Sequence, residues 1–216
     1  MLPLRLDVGR RRALEILCLG AHCDDIEIGC GATLMRLAKE RPVRVTWIIM
    51  SATPPRGAEA RRSAALFLRH ARAKQIQLER FRDGFLPAHW HDVKECFEGL
   101  KRLPRPDVIF THERDDRHQD HRVVCELTWN TFRDHLILEY EIPKFDGGMG
   151  QPNVYVPATA TLTERKSRQL LAAYTSQGAK PWFSAETFRG LMRLRGIESN
   201  AGEGYAEAFH ARKVVL

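Results

Sequence analysis

The 216-residue sequence holds only five cysteines, an odd number, and contains no C-x-x-C pair. Neither a disulfide framework nor a cysteine-rich zinc knuckle is therefore expected. Reduced thiols in a cytoplasmic protein are the simpler reading. No run approaches the roughly 18 apolar residues of a spanning helix. Residues 1–15 lack the sustained apolar stretch of a signal peptide, so no membrane anchor is expected. No G-x-G-x-x-G follows the first apolar run, which argues against a dinucleotide-binding enzyme. Nucleic-acid signatures, internal repeats, low-complexity segments and composition breaks are also missing. The expectation is one domain over residues 1–216 with no nucleic-acid partner.

What is present is a globular composition: 44% hydrophobic residues suffice for a core, and 28% charged residues keep the surface solvated. The formal net charge of +7 favours anionic partners: nucleic acid, acidic lipid headgroups, or phosphorylated or nucleotide-linked substrates. That charge is spread along the chain, its longest basic run being Arg10, Arg11 and Arg12.

Apolar runs and helical patterns alternate. Strands are predicted over 14–20, 43–50, 75–81, 107–111 and 136–142, with a further one over 153–156. Helices are predicted over 29–38, 58–74, 91–103, 119–135, 163–174 and 184–194. The glycine-rich stretch 196–204 reads as a mobile loop. Strands apolar on both faces and separated by helices point to a doubly wound α/β sheet, mostly parallel and covered on both sides.

Two polar clusters interrupt this pattern, each just after a buried strand. The first is Ala21-His22-Cys23-Asp24-Asp25-Ile26-Glu27-Ile28-Gly29-Cys30-Gly31. Ligands of open α/β sheets bind at the carboxyl ends of strands. Adjacent carboxylates there repel each other and resist desolvation, and a divalent cation relieves both. The second cluster is Asp115-Asp116-Arg117-His118-Gln119-Asp120-His121. Asp116 and Gln119 have the spacing of a helix-capping pair, so a helix is predicted to start near Arg117, with His118 and His121 on one face. Taken singly, each residue has a plain structural reading as a turn, cap or surface group. Together they supply two imidazoles and a carboxylate, the donor set of a catalytic zinc that keeps one position open. Spacing alone does not choose between Asp24 and Asp25, nor between zinc and manganese or iron. Asp120 is placed to orient His118.

These residues resemble the PIG-L/LmbE family of de-N-acetylases. The family's A-H-P-D-D-E signature stands here as Ala21-His22-Cys23-Asp24-Asp25-Ile26, followed by Gly29 and Gly31. Its H-x-D-H signature stands as His118-Gln119-Asp120-His121. The resemblance implies a Rossmann-like three-layer α/β/α fold and removal of an N-acetyl group from a small-molecule amino-sugar conjugate. It implies one zinc ion on His22, Asp25 and His121, with Asp24 as general base and His118 assisting at the oxyanion. Arg56 fits an R-x-x-E motif near substrate, and Asp83 with Gly84 fits a D-G at the rim of the site. Residues 205–209 fit a common A-E-A-F segment. Three departures stand out. Cys23 replaces a proline and puts a thiol beside the metal position. Ile26 replaces an acid. Asp116 stands where some relatives carry a tyrosine. Residues 140–148 are expected either to line the pocket or to make a homo-oligomer contact. Two rival readings are a catalytically idle sugar- or nucleotide-binding module and a metal-dependent phosphoesterase with two ions.

Overall fold

A computed structural model describes residues 3–6, 8–9 and 12–215. Arg10 and Arg11 of the basic run lie outside the described residues. The core is a seven-stranded sheet: β1 (Leu14–His22), β2 (Val43–Ser51), β3 (Ala73–Leu78), β4 (Val108–His112), β5 (Leu136–Tyr140), β6 (Val154–Ala158) and β7 (Tyr205–His210). Their order across the sheet is β3-β2-β1-β4-β5-β7-β6. The first five strands are parallel, while β7 runs antiparallel to both β5 and β6.

Alternate residues of the central strands serve two separate cores. Leu14, Ile16 and Cys18 of β1 and Val43, Val45 and Trp47 of β2 face one side. There they meet α1 (Asp25–Glu40), α2 (Arg56–Phe67), α5 (Ala160–Ala173) and α6 (Ala185–Glu198) through Leu34, Phe67, Leu170 and Phe188. Leu17, Leu19 and Ile48 face the other side, against α3 (Trp90–Leu100) and α4 (Gln119–Thr131) through Phe97 and Val124. Burial on both faces is why these strands read as continuous apolar runs instead of alternating ones. The expected three-layer, mostly parallel α/β/α architecture is the one observed. Among the described residues no helix is long and apolar enough to cross a membrane.

Two elements depart from expectation. Helix α2 stops at Phe67 instead of continuing to Lys74, because β3 already pairs with β2 from the Arg44–Ala73 register. The stretch 196–204 is not an open loop. Helix α6 continues to Glu198, and a turn closed by the Ala201 and Gly204 amides leads directly into β7. The A-E-A-F segment is thus an interior strand.

Helix α1 is broken at Cys30, whose backbone (φ −140°, ψ 16°) is not helical. The break exposes main-chain groups within the core, and a buried ion pair serves them. Glu207 of β7 accepts from the amides of Ala32 (2.9 Å) and Thr33 (2.6 Å). Lys166 of α5 donates to Glu207 (2.6 Å) and to the Ile28 carbonyl. Glu207 therefore caps the second half of the helix from another part of the chain, as an acid at a helix N-terminus should. The break also lets the helix lie close to its neighbours. A Cβ on Gly29 would sit 2.2 Å from the Tyr140 ring, and one on Gly31 2.5 Å from Phe67. Gly29→Ala is expected to cost about 1–3 kcal/mol in denaturant unfolding through overpacking. Gly190→Ala, in α6 with nothing within 4 Å of the new methyl, is expected to be neutral or to add up to about 1 kcal/mol.

Candidate metal centre

Strands β1 and β4 are parallel neighbours, with Cys18 opposite Phe110. Their carboxyl ends therefore deliver the two polar clusters to the same place. His22 ends β1, and its amide donates to Asp25 Oδ2 at 2.6 Å, which turns the chain into α1. On the β4 side the chain passes through Glu113–Arg117 before α4 begins at Gln119. That helix starts where the apolar pattern put it, two residues after the start the Asp116–Gln119 pair suggested, and its cap is His118 in place of Asp116. The His118 Nδ1 accepts the Asp120 amide at 3.2 Å. Asp116 is thereby free to accept from the His118 amide at 2.7 Å and from His121 Nδ1 at 2.9 Å.

Three donor atoms face one another. His22 Nδ1 lies 3.1 Å from His121 Nε2 and 3.3 Å from Asp25 Oδ2, and His121 Nε2 lies 3.5 Å from Asp25 Oδ2. A tetrahedral zinc with ligand distances of about 2.0–2.1 Å has ligand–ligand edges of roughly 3.3–3.4 Å. The residues thus fit such an ion without rearrangement. The outer nitrogens support the same reading. His22 Nε2 meets Asp120 Oδ2 and Asp83 Oδ1, each at 3.2 Å, and His121 Nδ1 meets Asp116. A carboxylate behind each imidazole fixes the tautomer that turns a lone pair inward.

The electrostatics also favour a cation. Burial, reinforced by the neighbouring His112, holds His121 down at about 3, so it is a neutral donor. Burial also disfavours a charged His22, but Asp25, Asp120 and Asp83 outweigh it and hold this ring well above its ordinary value. Burial opposes ionisation of Asp25, yet His121, His112 and His22 keep it well below the usual carboxylate range. The cluster draws positive charge to its centre. Asp24 lies next to it, buried, with Oδ1 2.7 Å from Arg56 Nη2. Burial raises its pKa, and Arg56 partly counters this. His118 sits with its ring centroid 4.7 Å from His22 and 4.6 Å from His121. Burial and the nearby His22 keep it below its ordinary value. With Nδ1 accepting the Asp120 amide, the proton of the neutral ring resides on Nε2.

The remaining expected residues fall as follows. Arg56 and the half-exposed Asp83 border the same space, 3.9 Å apart. Asp120 is buried, but its carboxylate does not orient the His118 ring as expected. It accepts from the amides of Gly84 (2.7 Å) and Leu86 (3.0 Å) and contacts His22. A short acid in the first turn of α4 reaches the rim turn and β1, not the cap behind it. The Cys23 thiol is buried and pushed up to about 12 by that burial, which disfavours the thiolate a metal would need. Of residues 140–148, Tyr140 is buried in the sheet and Lys144 donates to Asp116 at 2.6 Å.

One residue at the site escaped the sequence reading. His112, the last residue of β4, is fully buried and stacks on His121 at 3.8 Å between centroids. Its Nε2 accepts the Ala21 amide at 2.9 Å and lies 3.2 Å from Asp25 Oδ2. Asp25, His112 and His121 offer a second triad within 4.8 Å. With its Nε2 lone pair committed to Ala21, His112 acts as the wall against which His121 packs. The available signal was its place at the end of a buried strand, one residue past the predicted boundary.

The chain matches the family model described as GlcNAc-PI de-N-acetylase over residues 17–132. It is 32% identical over 141 residues to an Escherichia coli K12 protein named uncharacterized deacetylase YaiS, covering 59% of this chain and 74% of that one. The conserved protein TT1542 of Thermus thermophilus superposes with a TM-score of 0.75 at 25% identity, over 94% of this chain and 96% of that one. The N,N'-diacetylchitobiose deacetylase of Pyrococcus horikoshii superposes with a TM-score of 0.69 at 20% identity, over 95% and 88%.

Behind the first cluster, Glu27 is fully buried and burial pushes its carboxyl up to about 8. The neutral acid donates to the Tyr174 hydroxyl (2.7 Å between oxygens), which in turn donates to the Cys23 carbonyl. Glu59, from the R-x-x-E motif, anchors the adjoining turn by accepting from Ser176 and Thr175. Between pH 4.5 and about 8 the unfolded chain has released the Glu27 proton that the folded chain retains, so stability falls as pH rises through that window. Glu27→Gln keeps a donor toward Tyr174 and is expected to raise stability by about 2 kcal/mol at pH 8, with little gain at pH 5. Thermal melts at both pH values check this, and an equal effect at each would contradict a neutral Glu27.

Proposed function

The chain belongs to the PIG-L family of GlcNAc-PI de-N-acetylases, and on that premise we propose that it is a zinc-dependent hydrolase removing an N-acetyl group from an amino-sugar-containing small molecule. The observation that carries this reading is the triangle of His22 Nδ1, His121 Nε2 and Asp25 Oδ2, with edges of 3.1–3.5 Å. Asp24 and His118 stand beside it as an unused base and an unused donor.

His22, Asp25 and His121 would hold the ion. Zinc at that position would supply Lewis acidity to an amide carbonyl and acidify water. Asp24 takes a proton from the water that attacks the carbonyl carbon. Its raised pKa suits a base that must afterwards give the proton up to the leaving amine. Arg56, 2.7 Å away, keeps the Asp24 carboxylate oriented. His118 donates its Nε2 proton as a hydrogen bond to the oxygen that becomes negative. Because the ring is neutral, it acts as a dipole and not as a charge. Arg56 and Asp83 border the entrance and are assigned to substrate binding. The net charge of +7 supports a substrate bearing phosphate. The five free cysteines support a reducing, cytoplasmic setting.

The test is a panel of N-acetylated amino sugars and their phosphorylated conjugates, with deacetylated product and acetate read by mass spectrometry. Product should appear with zinc, vanish with a chelator and return on adding zinc back. Asp24→Asn should keep one zinc per chain and lose roughly 10²–10⁴ in kcat. Full activity in that variant would remove Asp24 from its role. Product formation indifferent to chelation would remove the metal, and two tightly held ions per chain would favour a phosphoesterase instead.

A further inference from the structure

Asp116 contacts both histidines of the second cluster. Its Oδ1 accepts the His118 amide at 2.7 Å, and its Oδ2 accepts His121 Nδ1 at 2.9 Å. The same Oδ2 accepts Lys144 Nζ at 2.6 Å, from the segment following β5. Lys144 is itself steadied by the Ile142 carbonyl at 3.1 Å. Arg195 of α6 pins both ends of this segment. It pairs with Glu141 through Nε at 2.9 Å and donates to the Gly150 carbonyl at 3.1 Å. The middle of the segment lies against the second cluster, where a Cβ on Gly148 would sit 2.6 Å from Arg117 Cγ.

We propose that Lys144 is a positioning residue for the metal centre, acting through Asp116 on His121. The inference rests on the reading of His121 as a ligand. A surface ion pair would contribute little, but this pair is not at the surface. The Asp116 side chain is 3% exposed and that of Lys144 15%. Three donors from two segments, the His118 amide and His121 ring at the start of α4 and Lys144 after β5, fix the plane of one carboxylate. That carboxylate in turn fixes which nitrogen of His121 carries the proton and where the other points. Outer partners of this kind typically govern metal affinity by about 10–100-fold. The lysine lies more than twenty residues from the motif it serves.

The test measures zinc affinity by competition with a chromophoric chelator, and the visible spectrum of the cobalt-substituted chain, for Lys144→Met, Lys144→Arg, Asp116→Asn and the Asp116→Asn/Lys144→Met double variant. Lys144→Met should weaken zinc binding about 10-fold and alter the cobalt spectrum, and Asp116→Asn should cost about 10–100-fold. Lys144→Arg should restore affinity to within about 3-fold of the unsubstituted chain, since guanidinium pairs well with carboxylate. The double variant should lose no more than Asp116→Asn alone, because the lysine acts through that acid. Thermal melts in chelator identify any variant that fails to fold, and Lys144→Gln then replaces Lys144→Met. Zinc affinity and cobalt spectrum unchanged in a folded Lys144 variant, or fully additive losses in the double variant, overturn the inference while leaving the metal reading intact. Failure of the unsubstituted chain to bind zinc overturns the metal reading, and this inference with it.

Discussion

Everything at this site follows from the need to place negative charge next to neutral nitrogen donors inside a protein. Asp24, Asp25, Asp116 and Asp120 are all buried within one small region, with Asp83 at its edge. Like charges so close are tolerated only where cations or donors stand among them. The chain supplies Arg56 on one side and Lys144 on the other. Between them, at the triangle of His22, His121 and Asp25, no side-chain cation other than a protonated histidine stands among the described residues. The arrangement is balanced when positive charge sits there.

That balance depends in turn on strand order. Only because β4 pairs directly with β1 do two clusters almost one hundred residues apart share a centre. The open sheet contributes the meeting point, and helix starts contribute the donors. Asp25 begins α1, whereas His118 caps α4.

The parallel part of the sheet was legible because its strands are apolar on both faces and its helices carry periodic apolar residues. The convergence of His22, Asp25 and His121 was legible as well, since the clusters that hold them follow strands that could be read. What could not be read was of one kind: contacts made by side chains far away in sequence. Asp120 turned out to serve Gly84, Leu86 and His22 instead of His118, because the rim turn approaches it from a segment 34–36 residues earlier. The cap of α4 is His118 and not Asp116, whose carboxylate instead accepts from Lys144 and His121. His112 was hidden by a boundary drawn one residue short. Strand β7 was hidden because glycines before it suggested a loop, when Gly196 in fact lets α6 pass against the Gly204 carbonyl, 2.1 Å from where a Cβ would be.

The position of β7 bears on how the molecule comes together. It follows β6 in the chain but lies between β5 and β6. When the polypeptide emerges from the ribosome, both polar clusters and the first five strands can associate before β7 appears. In the finished sheet β6 pairs only with β7, whereas helix α5 packs against α1 and α2, which are made earlier. Glu207 of β7 pairs with Lys166 of α5, so the broken helix beside the candidate metal centre is sealed by the last strand of the sheet in chain order. Chain order thus runs opposite to geometry: the residues of the centre are made early, and the interior strand beside β5 is made after its outer neighbour β6.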